Sequence, residues 1–401
     1  MEACVALERV CATWSPAFDY VLSLWRQHDR GEGAPSQCAP PDVAMFERAL
    51  AQHRMALALP AAETLPAGVP EPLRNALRQR QRRMLLRGLQ QTAAVREVVI
   101  ALQRAGLRCC LLKGHGYAAL FGQAHREACD IDVLIEAHAL HDALSTLQTL
   151  GYALQADAAA DLAGYCRRNH ALPLQHPASG VVLELHLRLA NHERQFPLSA
   201  EVWRDHLGNV TLAGMQVPTL SPPAAVVYAA FHGTKHHWHR AFWLVDMAHA
   251  LCSPQLDWDA VLALARRLGV ERQLALSALL VEASLGVALP DALQRQSALL
   301  RAARPAAAAL LPCLDALGSD RGADLAVRLG VTGYARYLLS LQSRWRGRLG
   351  LLPGLLAPTD ADRLALPLPR ALRWVYPGVR VVRLTLQHLH KQRDLRRARQ
   401  N

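Results

Sequence analysis

The sequence predicts an α+β chain that is mostly α, with a small mixed β-sheet domain embedded between helical lobes. Composition is the first ground. Aromatic residues make up 5% of a chain that is 51% hydrophobic, so the core must be built mainly from Ala, Leu and Val, and Ala and Leu are strong helix formers. The second ground is the pair of segments 130–135 and 181–189, where apolar and polar residues alternate with the period of a strand. Proline is the third: it is clustered between residues 35 and 72 and again between 290 and 312, where it interrupts otherwise helical stretches. A length of 401 residues allows a sizeable core in two or three lobes.

Residues 1–90 form an N-terminal helical region, broken at Pro35, Pro40 and Pro41 and again at Pro60, Pro66, Pro70 and Pro72. Within it, residues 73–91 carry Leu77, Met84, Leu85 and Leu89 at helical spacing among arginines, the pattern of a solvated helix. Residues 91–225 form the α/β domain. An amphipathic helix over 93–105 ends at Gly106, and the apolar run 107–112 fits a buried strand. Gly114-His115-Gly116 makes a tight turn, and 117–121 a helical turn. Asp130 to Ile135 is the next strand, 138–150 a helix closed by Gly151, and 170–174 with 181–189 a hairpin about Pro177-Ala178-Ser179-Gly180. Residues 226–300 form a helical lobe closing a cleft, with helices over 224–233, 236–252, 258–268 and 271–285. Residues 301–401 form a C-terminal helical region ending in the basic tail 391–399.

The net charge of +12 suits anionic partners such as nucleotides, and equally suits simple solubility. Nearly all the cation is arginine: Lys113, Lys235 and Lys391 are the only lysines. High Ala and Arg with so little Lys suggests a GC-rich bacterial genome. A lysine kept against that drift marks a place where a compact ammonium is preferred to a planar fork. Nine cysteines without C-x-x-C spacing indicate neither a disulfide framework nor a cysteine zinc site. No signal peptide and no membrane span is expected, which fits a cytoplasmic protein.

Asp130-Ile131-Asp132 carries the strongest chemical signal. Two carboxylates at i and i+2 of a strand share a face and repel, and a divalent metal ion is the common remedy. Two solvated acids at a strand entry are the plainer alternative. The pair is expected at an edge of the sheet, where a cleft opens. Glu184 stands mid-strand between Leu183 and Leu185, on the same side as His186, and needs a partner: either the metal site or an arginine, Arg188 or Arg126. Three converging carboxylates would hold two magnesium or manganese ions about 4 Å apart. Lys113-Gly114-His115, between a strand and a helix, offers backbone N–H groups and a flexible cation to phosphate. Arg126, one loop before the acids, suits triphosphate or an acidic side chain. His232, His236 and His239 fall at i, i+4 and i+7 on one helical face. With Lys235, they read as a cleft wall meeting phosphate or base, or as buried histidines orienting the helix; zinc ranks below both. Asp246 is expected to bond one of these histidines.

In order, Leu111-Leu112-Lys113-Gly114, Arg126, Asp130-Ile131-Asp132-Val133-Leu134-Ile135, Leu150-Gly151-Tyr152, Glu184-Leu185-His186 and the segment from His232 to Asp246 resemble the uncharacterised nucleotidyltransferase family of bacteria, over roughly residues 75–300. The resemblance implies the polymerase-β-like superfold and transfer of a nucleoside monophosphate from a triphosphate, ATP by preference, with release of pyrophosphate. It makes Asp130, Asp132 and Glu184 catalytic metal ligands for Mg²⁺ or Mn²⁺. Lys113, Gly114, His115, Arg126, Lys235 and His236 are then the nucleotide-binding residues. The wider superfamily places Gly-Ser where this chain has Lys113-Gly114-His115. The acceptor is an unidentified small molecule, peptide or sugar. The alternative on the same fold is a non-catalytic nucleotide-sensing or RNA-binding protein using the basic tail. Against it stands the lack of an aromatic-rich basic strand for base stacking.

Overall fold

A computed structural model describes residues 14–30, 39–123, 126–191, 193, 195–315, 321–344, 348, 360–383 and 385–386. The basic tail 391–399 lies outside them. The chain divides into two compact units, Met1–Ala316 and Leu317–Asn401. The second contains helices Arg321–Ser340 and Asp360–Ala365, and its buried Asp362 receives Arg380 at 3.1 Å and Arg383 at 2.6 Å.

The first unit is built on a seven-stranded mixed sheet of order β3-β4-β5-β2-β1-β7-β6. Its strands are β1 (Cys109–Leu111), β2 (Asp130–Ile135), β3 (Ala153–Leu154), β4 (Ala171–Gln175), β5 (Val182–His186), β6 (Leu207–Leu212) and β7 (Met215–Leu220). β2 pairs with β5, and β1 with β7, in parallel; the other pairings are antiparallel. The acids stand at the start of β2, as expected, and β2 is the central strand of the sheet. The β4–β5 hairpin is formed as expected. The β6–β7 hairpin was not visible in the sequence. It turns through Ala213 and Gly214, at φ 48° and 74°, and Ala-Gly lacks the Asn or Asp that usually signals two left-handed residues in a hairpin turn.

Alternation along β2 and β5 separates the two faces of the sheet. Ile131, Val133, Ile135, Leu183 and Leu185 point into one core, against Val95, Val98, Val99 and Leu102 of the helix Glu71–Arg104 and Leu144 and Leu147 of Leu140–Thr149. Burying a side chain of this size contributes about 1.5–3 kcal/mol each, which fixes the register and turns Asp130, Asp132, Glu184 and His186 to the opposite face. Glu71–Arg104 is one continuous helix of 34 residues rather than the two expected. It starts behind Pro70 with Pro72 in its first turn, where the missing N–H costs nothing. Gln91 and Thr92 contain nothing that breaks a helix.

Candidate active site

Parallel pairing of β2 with β5 sets Asp132 directly beside Glu184, and Leu134 beside His186. The donor atoms of Asp132, Glu184 and His186 all lie within 4.8 Å of one another. Among the described residues this is the group of acidic, His and Cys side chains able to hold a metal ion. Asp130 shares their face two residues before Asp132. His186 is fully buried; its Nε2 lies 2.9 Å from Asp132 Oδ1 and 3.4 Å from Glu184 Oε2. Its Nδ1 is buried with no partner. Sequence reasoning had His186 on the correct side of the strand but gave it no role, although the Glu-x-His spacing was the available signal.

Lys113 supplies the positive charge that the carboxylates require. Its Nζ lies 2.8 Å from Asp132 Oδ1, the oxygen that His186 also reaches. The lysine follows β1 directly, and the Leu112 amide donates to the Asp132 carbonyl at 2.9 Å, pinning this turn against β2. Gly114 then takes φ 48° and ψ −120°, a conformation that only glycine holds without strain, before the helix continues to Leu120. Beside Lys113 is a small cavity lined also by Tyr117, Thr219 and Tyr228. The hydroxyls of Tyr117 and Tyr228 are buried with no hydrogen-bond partner.

The electrostatics follow from this packing. Burial alone would raise the pKa of Asp132, but Lys113 and the hydrogen bond from His186 hold its carboxyl well below the usual range. Burial opposes the charge on Lys113, yet Asp132 keeps its pKa above that of an ordinary lysine. Asp130 is raised, by burial and by the charge of Asp132. His115 is lowered to about 4 by burial and Arg126, so its imidazole is neutral at pH 7.

Arg126 is committed to a protein partner. Its Nε and Nη2 grip Asp246 at 2.9 and 2.8 Å, and its guanidinium lies over the Phe242 ring at 4.6 Å. Asp246 therefore bonds Arg126, not a histidine as the sequence suggested: a planar fork satisfies both carboxylate oxygens at once. Neither candidate arginine takes Glu184, since Arg188 donates to the carbonyls of Cys166 and Asn169.

The histidine cluster is real, but it does not lie on one helix. The helix Pro222–Lys235 ends before His236, and His237 and Trp238 adopt φ of 54° and 49°. The chain thus reverses, and His232, His236 and His239 gather about Trp243, with ring centroids 4.8–5.6 Å from its ring. Gly233 makes room for this reversal. A Cβ there would lie 2.6 Å from the Trp238 indole. Gly233→Ala is expected to cost about 1–3 kcal/mol of stability through overpacking, measured by urea unfolding; an unchanged midpoint would mean the indole moves freely.

Lys235 ends this helix within the field of the site. Its pKa is lowered to about 8 by burial and then by Lys113, against the attraction of Glu184. A lysine depressed in the folded state favours folding in its neutral form. Its contribution to stability is full above the unfolded value of about 10.4 and is lost as pH falls through about 8. Lys235→Met is accordingly expected to raise the melting temperature at pH 7 and to flatten its rise between pH 8 and 10. A parallel profile for wild type and variant would contradict this.

Among the described residues no helix is long and apolar enough to cross a membrane. Cys109, Cys110, Cys129 and Cys166 are free thiols. A family profile described as "Uncharacterised nucleotidyltransferase" matches residues 42–286. Among solved structures, the chain matches the antibiotic-resistance factor ANT(2'')-Ia at 14% identity, over 53% of this chain and 96% of that one, with a TM-score of 0.27. No curated protein matches.

Proposed function

From the premise that the chain belongs to the uncharacterised nucleotidyltransferase family, we propose that it moves a nucleoside monophosphate from a nucleoside triphosphate, ATP first among candidates, to the hydroxyl or phosphate of a small molecule, peptide or sugar. The acceptor oxygen, giving up its proton to solvent when it is a hydroxyl, forms a bond to the α-phosphorus. The bond from that phosphorus to the bridging oxygen breaks, and its electron pair leaves with pyrophosphate. The carrying observation is the meeting of Asp132, Glu184 and His186 within 4.8 Å, with Asp130 on the same face.

These residues fit a divalent cation. Carboxylate oxygens suit Mg²⁺ or Mn²⁺. Asp130, Asp132 and Glu184 would hold the metal. When bound, such ions neutralise charge on the triphosphate and activate the attacking oxygen. The protein's own groups do the rest. Lys113 and Lys235 attract the triphosphate to this face of the sheet. Arg126, clamped by Asp246, lies 3.6 Å from where a Cβ at Gly114 would stand and buttresses the turn carrying Lys113. Neutral His115, Gly114 and His236 complete the proposed nucleotide wall.

The test is pyrophosphate release from each labelled triphosphate, with Mg²⁺ or Mn²⁺ and a panel of acceptors, in wild type and Asp132→Ala. Release that depends on acceptor and disappears in the variant supports transfer. Tight nucleotide binding without release from any acceptor would overturn it in favour of a sensor.

A further inference from the structure

Lys113 Nζ and His186 Nε2 meet the same atom, Asp132 Oδ1, at 2.8 and 2.9 Å. A carboxylate oxygen offers about two lone-pair directions, so both are already engaged by donors. A divalent ion seeking that oxygen meets a cation of like charge on a shared acceptor. Lysine differs from arginine here because its point charge rides on a flexible stem. The Lys113 side chain keeps 17% of its surface exposed, against 5% for Asp132. Of the two, the lysine is the one with a route toward solvent. A triphosphate arriving over the site would give the ammonium a second anionic partner.

We propose that Lys113 and a divalent cation compete for Asp132 Oδ1, and that nucleotide relieves the competition by drawing Lys113 onto its phosphates. Lys113 is then a counter-ion that makes metal and nucleotide bind together rather than independently. This rests on the nucleotidyltransferase reading and adds an order of energies to it: metal alone binds weakly, metal with nucleotide strongly. By linkage, the metal strengthens nucleotide binding by the same factor.

The test is Mn²⁺ binding, followed by loss of the free-ion paramagnetic resonance signal. Wild type, Lys113→Met, Lys113→Gln and Asp132→Asn are compared with and without a non-hydrolysable ATP analogue, correcting for the nucleotide's own affinity for manganese. Wild type is expected to bind Mn²⁺ roughly tenfold or more tightly with the analogue, within the usual range of coupling between sites. Lys113→Met is expected to bind Mn²⁺ alone about tenfold more tightly than wild type and to gain little from nucleotide. Lys113→Gln, which removes the charge with a shorter polar side chain, should behave alike and covers the case in which the methionine variant fails to fold. Mn²⁺ affinity in folded Lys113→Gln no higher than in wild type would overturn the competition. Should wild type and Asp132→Asn bind manganese equally, or not at all under any condition, the metal-site reading itself would fall.

Discussion

Asp132→Asn is expected to lose nucleotidyl transfer by on the order of 10³-fold or more and to lose about 3–5 kcal/mol of stability as well. Both effects have one cause. Asp132 is 5% exposed in its side chain and neutralises Lys113 while accepting from fully buried His186. An amide of the same shape leaves the lysine's charge uncompensated, and breaking a largely buried pair from one side costs far more than the pair is worth. Glu184→Gln is the control. The Glu184 side chain is 37% exposed, so its neutralisation should reduce turnover yet move stability by less than about 1 kcal/mol. Urea unfolding and pyrophosphate release on both variants separate the roles. The sign of the pH response supplies a further check. Because the carboxyl of Asp132 is depressed, its stabilisation is present above the unfolded value near 4 and disappears only in stronger acid; Asp132→Asn should lose that acid limb. Equal stability of Asp132→Asn and wild type at pH 7 would refute the account.

Asp246→Ala is expected to be comparably damaging to the fold, by about 3–5 kcal/mol, although its carboxylate touches neither Lys113 nor β2. The side chains of Arg126 and Asp246 are 11% and 8% exposed, and the fork-to-carboxylate contact ties the segment entering β2 to the helix Ala241–Leu251. The double variant Arg126→Met with Asp246→Leu should recover much of the loss, because two apolar groups of similar volume bury no charge. Were Arg126 instead a triphosphate ligand held only loosely by Asp246, Asp246→Ala would leave the melting temperature unchanged and alter only nucleotide binding.

What was legible in the sequence depended on the range of the interaction. β2 and the β4–β5 hairpin were legible because their alternation is local, and alternation fixes which face each side chain takes. The convergence of Asp132 with Glu184 was inferred on the condition that their strands lie side by side, and the parallel register supplies that condition. The significance of Lys113 was legible in composition, but its position on Asp132 was not, because it depends on where β1 docks against β2. The partnership of Arg126 with Asp246 spans 120 residues, and no periodicity carries such information. The histidines misled for a local reason. Their spacing is helical, but two consecutive left-handed residues, His237 and Trp238, end the helix where spacing alone would extend it.

The sheet's central strands pair with partners encoded much later in the chain. β1 waits for Thr219, which sits beside Leu111 and donates its hydroxyl to that carbonyl at 2.6 Å, and β2 waits for residues 182–186. On the ribosome, then, Asp132 emerges some fifty positions before Glu184 and His186, and those later residues must be translated before the three-residue cluster can assemble. Parallel pairing of this kind is slow to form, so nascent chains halted short of residue 182 should be unable to capture manganese, however long they are given.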